Sequence, residues 1–427
     1  MPTEIGAGGL PPGPPPMPTA TLPKSRWFYP NELKNDLAGL NISDELRDEI
    51  LNCAWEYTRC IIPTWTNWQR YIAFARIIIL QAICEFRGDL VRPDETDEIL
   101  GYKLQELIDI LFAGSPDYVH DGMARELRTF FVTISEKASA AKKDSELFRR
   151  YTNALAYSAK DYFRMRDCDA SVRFTIAAAW ACNDIGMSMD KYWFSEGQWQ
   201  VLAEICIGQY DAVAYFKHRA EGEICNFYAY AGGDMRLEIA HLYREILWAL
   251  DSAWAQEPDN NCTHILTFLR QFSGAIHMLM RRYRFVEEGL TIGRPENTET
   301  VAGARRNVNL WCRIDAETQK SPHRPDLAEA MRPTGAQTLK TERYNAFLAQ
   351  KDKIMYEGFA ESLERSDTIQ CKNCVRKDTY CAEEMYQFGG VTLCSGCQRK
   401  WVEYARSLPG RVAKEFPEMK TLKAYWD

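Results

Sequence analysis

The sequence has no surplus of positive charge. Its 427 residues carry 52 Lys and Arg against 59 Asp and Glu, a net charge of −7. Sequence-independent binding to nucleic acid requires a basic surface, so no nucleic-acid partner is expected. A small anion needs only a local basic cluster and is still allowed. No membrane-length apolar run is present either. The most apolar stretch, YIAFARIIILQAICEF (71–86), has 16 residues and includes Arg76. A transmembrane helix needs about 20, so this reads as a central core helix. The N-terminus lacks the basic n-region and apolar h-region of a secretory signal. Hairpin signals such as Asn-Gly between alternating apolar residues are nearly missing, and no fixed-period repeat is visible.

What is present is ordinary globular composition, 46% hydrophobic and 26% charged, with fourteen cysteines. Without a secretory signal, that many cysteines point to a reducing, cytoplasmic setting and against a disulfide framework. Residues 1–26 are rich in Pro and Gly and are expected to form a disordered tail. Residues 27–365 show helical periodicity throughout, with helices expected at 44–61, 67–87, 97–113, 122–137, 144–157, 167–184, 197–218, 235–254, 262–289, 297–318 and 340–364. Punctuation at Pro63, Gly88, Pro93, Pro258 and Pro295 supports these limits. The expected fold is all-α. The remainder, 366–427, differs in character and holds five of the fourteen cysteines.

Two of those pairs form knuckles, Cys371 and Cys374 in CKNC and Cys394 and Cys397 in CSGC. Four thiolates so spaced suit a structural zinc ion, and a site closed by four cysteines leaves no position open for catalysis. Cys381, between the pairs, reads as a spare thiol.

Four further segments combine charge with helical context. FRMRDCDASVRF (163–174) offers Arg164, Arg166 and Asp169, and QYDAVAYFKHRAEGE (209–223) offers Asp211, Lys217, His218 and Glu221. ICEFRGDLV (83–91) places Glu85 and Asp89 at i, i+4, on one face if the helix continues. HMLMRRYRFVEE (277–288) sets Arg281, Arg282, Tyr283 and Arg284 in an otherwise apolar helix. Taken singly, each is as well explained by a solvated face.

The order of these segments resembles that of class I terpene synthases. In RDCDA, Arg166, Asp169 and Ala170 look like that family's diphosphate-sensing arginine, linker and effector positions. YDAVAYFKH is similar to the second metal motif, with Tyr210 and His218 at its first and last positions, and Arg282–Tyr283 resembles the Arg-Tyr pair, 72 residues after Tyr210. Where the family has DDxxD, this chain has Glu85-Phe-Arg-Gly-Asp89. A closer resemblance is to the fungal α-ionylideneethane synthases, which lack the usual metal motifs. It runs from about Trp27 to the C-terminus and includes CAWEYTRCIIP (53–63), FRMRDCDA, EILWALDSAWA (245–255), MRRYRFVEEGLTIGRPE (280–296) and FGGVTLCSGC.

That resemblance implies a lyase: a sesquiterpene synthase acting on farnesyl diphosphate and forming 2Z,4E-α-ionylideneethane, a precursor of abscisic acid, through a neutral farnesene-type intermediate. It further implies Arg166, Lys217, Arg282, Tyr283 and Arg281 as diphosphate donors. Glu85, Asp89, Asp211 and His218 are candidates for the acid that reprotonates that intermediate, and Glu85, Asp89 and Asp211 for ligands of a magnesium ion. Trp65, Trp68, Tyr71, Phe74, Trp180 and Trp311 are candidate walls for a carbocation. Two other readings stay open: a class I cyclase with a different product, and a non-catalytic helical protein using its zinc segment for a partner. The oligomeric state is left open.

Overall fold

A computed structural model describes residues 29–85, 87–138, 145–184, 193–255, 261–276, 298, 340–366, 368, 371–376 and 386–417. The fold is all-α: seventeen helices and one two-residue strand pair, Glu98–Ile99 with Tyr102–Lys103, among the described residues.

Several helix starts follow from an oxygen-bearing side chain at the N-cap. Ser43 opens α1 (Asp44–Ile61) and Asn67 opens α2 (Trp68–Cys84), each accepting a backbone N–H three residues on. The helices α3 (Leu104–Leu111) and α4 (Asp117–Ala138) follow. Ser145 caps α5 (Glu146–Leu155) and Ser158 caps α6 (Ala159–Asp169), which is succeeded by α7 (Val172–Cys182). Ser195 and Gln198 form a reciprocal capping box at the start of α8 (Glu196–Val213). The order then runs α9 (Tyr215–Glu221), α10 (Phe227–Ala231), α11 (Arg236–Trp254) and α12 (Asn261–Arg270). Beyond residue 339 come α13 (Lys340–Leu348), α14 (Lys351–Ile354), α15 (Phe359–Arg365), α16 (Ser395–Arg406) and α17 (Leu408–Glu415).

The apolar run around Ile77–Leu80 does form a central helix, buried on nearly all sides. Together with α8 it anchors one continuous core. The C-terminal segment joins that core directly. Trp401 of α16 stacks on Tyr230 with ring centroids 4.8 Å apart and meets Tyr162 edge-on. Arg411 of α17 forks onto the buried Glu204 of α8 at 2.6 and 2.8 Å, where the Tyr243 hydroxyl also donates at 2.6 Å. A bidentate charged bond of this kind fixes orientation as well as position.

The structure differs from the sequence expectations at several breaks, among them the expected helix 340–364, which is three helices, α13, α14 and α15. Residues 97–103 form a tight antiparallel turn, with Leu100 and Gly101 both at positive φ, so the third helix starts only at Leu104. The expected helix 167–184 is two helices meeting at Ala170–Ser171. The expected helix 197–218 is likewise divided at Ala214. Helix α2 ends at Cys84, because the chain turns to pass α4 so closely that a Cβ on Gly88 would overlap the backbone of Ser135.

Candidate active site

The α6–α7 break is the local event that builds the site. Ala170 caps α6, and Ser171 follows in the left-handed region at φ 53°. For a residue other than Gly this conformation costs about 1–3 kcal/mol. It is held in place by the Gln81 amide, which donates to Ser171 Oγ at 3.0 Å from the middle of α2. Strain retained at one point on a cleft wall is a pointer to function.

The cleft beside this break has about 650 Å³ of empty space, its open mouth included. Its polar wall is Arg166, Asp169, Ser171, Gln81 and Glu85. Its apolar wall comes from Tyr57 and Cys53 of α1, Ile78 of α2, Phe130 of α4, Tyr210 of α8 and Phe272. Phe272 lies in a π-helical turn, Gln271–Ala275, that ends α12, and its ring stacks on Tyr210 at 4.8 Å. Such wide turns often accompany functional sites.

Arg166 is the charge at the centre. It is 6% exposed, ion-paired to Asp169 and within 3.4 Å of Asp211 Oδ1. Its Nε has no hydrogen-bond partner, and a buried guanidinium donor without an acceptor is a feature that an incoming anion would resolve. Asp211 is fully buried behind it. One of its oxygens accepts from the Tyr162 hydroxyl at 2.7 Å and the Phe227 N–H at 2.8 Å, and the other faces Arg166. Burial pushes the Asp211 carboxyl above its ordinary range, although Arg166 and Tyr162 pull the other way. Burial would raise Asp169 too, but Lys137 and Arg166 together hold it below the ordinary value.

The nominated residues thus fall into groups. Arg166, Asp169, Ala170 and Glu85 line the cleft. Asp211 does not line it and serves as a buried support, with both oxygens engaged. His218, also behind the wall, receives the Asn226 amide at 3.1 Å, and the same amide bonds the Asp211 carbonyl at 2.9 Å. Lys217 donates to Glu221 at 2.8 Å and is not part of the lining. Glu85 and Asp89 do not share a helix face, since Glu85 caps α2 and Asp89 belongs to a separate turn, Gly88–Leu90. Arg281, Arg282 and Tyr283 lie outside the described residues, as do Trp311 and Cys381.

Among the described residues, the expected aromatic walls are elsewhere. Trp65, Trp68 and Tyr71 cluster with Trp55 where α1 meets α2, Phe74 stacks on Phe174, and Trp180 packs among Trp193, Phe194 and Trp199. The aromatics that do line the cleft are Tyr57, Phe130, Tyr210 and Phe272. A signal for the polar wall existed in the sequence: Gln81 is the one amide in IIILQAIC, and a lone polar group in the most apolar helix needs a local partner.

For magnesium the described side chains fit poorly. Asp211 offers no free oxygen, and among the described residues the one convergent group of metal-binding type is Cys371, Cys374, Cys394 and Cys397. Their sulfurs lie within 4.8 Å of one another, with Cys371 and Cys394 3.7 Å apart. A tetrahedron with Zn–S bonds of about 2.3 Å has edges of about 3.8 Å, so the cluster fits a zinc ion. Its frame is the Val375–Thr392 bridge and the start of α16, where the Cys394 N–H donates to Cys374 Sγ at 3.4 Å.

Known proteins match nearly the whole chain in sequence. The family described as Alpha-ionylideneethane synthase aba3 matches residues 25–418. A protein of that name from Botryotinia fuckeliana (strain B05.10) is 47% identical over 395 residues, covering 92% of this chain and 84% of the relative. Alpha-ionylideneethane synthase abl3 from Leptosphaeria maculans is 45% identical over 397 residues, covering 93% and 87%. The protein of that name from Pyricularia oryzae (strain Y34) is 41% identical, covering 93% and 84%.

Proposed function

The chain belongs to the alpha-ionylideneethane synthase family, and from that premise we propose that it converts farnesyl diphosphate into 2Z,4E-α-ionylideneethane with release of diphosphate. The observation that carries this reading is the cleft itself: a buried guanidinium with an unanswered donor on a polar wall that faces an apolar and aromatic one.

Loss of diphosphate leaves an allylic cation, and loss of a proton from that cation gives a neutral acyclic tetraene of the farnesene type. Reprotonation of that tetraene starts ring closure, and a final deprotonation gives a monocyclic hydrocarbon with three double bonds. Overall, the substrate becomes a C15 hydrocarbon and diphosphate takes up the remaining proton. Arg166 stabilises the charge growing on the leaving group, the kind of preorganised donor that commonly supplies the largest catalytic effect. Arg281, Arg282 and Tyr283 are proposed to extend that donor set. Tyr57, Phe130, Tyr210 and Phe272 exclude water and present ring faces to the cation, each worth about 0.5–2 kcal/mol. Glu85 is the proposed proton donor, since it lines the cleft where Asp211 and His218 do not. No step is assigned to magnesium. Zinc in the four-cysteine cluster would hold the C-terminal segment in shape.

The test is to incubate purified protein with farnesyl diphosphate and identify the organic products by mass spectrometry while assaying released diphosphate. A cyclic C15 hydrocarbon formed together with diphosphate is expected. Unreacted substrate, or farnesol alone, would overturn the reading.

A further inference from the structure

Lys137 has no part in the chemistry above, yet it is placed with unusual care. It is the penultimate residue of α4, where a cation suits the helix C-terminus. Its side chain is only 19% exposed and turns to two carboxylates on other elements. Nζ lies 3.6 Å from Asp169 Oδ1 and 3.5 Å from Glu223 Oε2. Arg166 takes the other oxygen of Asp169. The charges therefore form a row, half-buried at Glu223 and Lys137 and buried at Asp169, Arg166 and Asp211.

The far end of the row is tied to the cysteine segment. Glu223 sits in the link between α9 and α10, where its N–H donates to the His218 carbonyl at 2.9 Å. Its own carbonyl accepts the Gly389 N–H at 2.9 Å. Gly390, at φ +83°, lies against Tyr230, Thr152 and Ile224, where a side chain would be strained by the backbone and would crowd the Tyr230 hydroxyl. Val391 to Cys394 follow at once, with Thr392 bridged to Val375 and Cys394 in the cluster.

We propose that Lys137 is a positioning residue for Arg166, and that the C-terminal segment, through the Gly389–Glu223 contact, keeps Lys137 in place. The proposal rests on the reading that the cleft takes a diphosphate. Its physical basis is charge balance. With Lys137 present, two cations answer Asp169 and Asp211, and the guanidinium has donor capacity to spare. Without it, two buried carboxylates compete for one guanidinium, which is then drawn off the cleft. The four-cysteine segment thereby acquires a role in the site some distance from its own sulfurs.

The experiment titrates inorganic diphosphate into the full chain by calorimetry, with thermal midpoint and zinc content recorded for each variant. Lys137→Met should weaken binding on the order of tenfold, as expected for losing one nearby charge in a partly buried setting. Lys137→Arg should restore affinity to within about threefold, a rescue that a purely structural role for the charge would not require. Gly389→Pro, which removes the tethering N–H, should weaken binding by about threefold while Gly389→Ala does not. If Lys137→Met folds poorly, Lys137→Gln takes its place. Native affinity in a folded neutral variant overturns the inference. Failure of the native chain to bind diphosphate at all overturns the cleft reading itself, and this inference with it.

Discussion

Helix α6 carries two buried charge networks on opposite faces, built from the same residue types within six positions. Arg164 and Asp167 turn to one side, Arg166 and Asp169 to the other, as residues two apart on a helix must. On the first face Arg164 pairs with Glu126, and Arg173 meets Asp167 at 2.5 Å and Glu196 at 2.8 Å. The Arg164 guanidinium also lies 3.6 Å over the Tyr356 ring. None of these groups lines the cleft. On the second face Arg166 has comparable carboxylate partners but borders empty space and retains an unanswered donor. Residue type and burial are thus the same for a structural ion pair and for a candidate anion receptor. The difference lies in what stands across from the charge.

The comparison predicts opposite signatures. Arg173→Met should have the largest effect on stability, about 3–5 kcal/mol, because it takes from the buried Asp167 its nearest cation and leaves only Arg164 at 3.8 Å. Turnover per folded molecule should remain near native, as checked by denaturant unfolding alongside product assays. Arg166→Lys should reverse this pattern. Charge is kept but the planar fork is lost, so product formation should fall by about a hundredfold with the thermal midpoint little moved.

A smaller effect is expected at the cysteine cluster. Cys397→Ser should abolish zinc binding and lower the thermal midpoint by roughly 5 °C, seen by metal analysis and calorimetry. The weakest predicted effect is pH-dependent. Asp169 is held below its ordinary value in the folded state, so its stabilising contribution is present above the unfolded pKa of about 3.9. It is lost as pH falls through the folded value. The stability advantage of the native chain over Asp169→Asn should therefore shrink steadily below about pH 4. An advantage that grows on acidification would contradict the assignment.

The sequence made the all-α fold legible because long periodic segments with Ser or Asn caps admit few other readings. The cysteine cluster was legible for a similar reason, since two CxxC knuckles carry their own geometry. The breaks within helices were not. Ser171 enters the left-handed region without being Gly, and Ala214 interrupts a helix with no Pro or Gly nearby, so tertiary contacts and not local propensity set both. The cleft aromatics were hidden because Tyr57, Phe130, Tyr210 and Phe272 come from different helices and no single segment announces them. Lys137 was hidden likewise: near a helix end it looks like any solvated lysine until Asp169 and Glu223 are seen around it.

The most direct test of the two-faced α6 is diphosphate binding measured in a matched pair, Arg166→Lys and Arg173→Lys, each shown to be folded. Binding should be lost or severely weakened in Arg166→Lys and kept near native strength in Arg173→Lys. Equal affinity in the two variants, whether both retained or both lost, would contradict the assignment of Arg166 as the guanidinium that meets the anion.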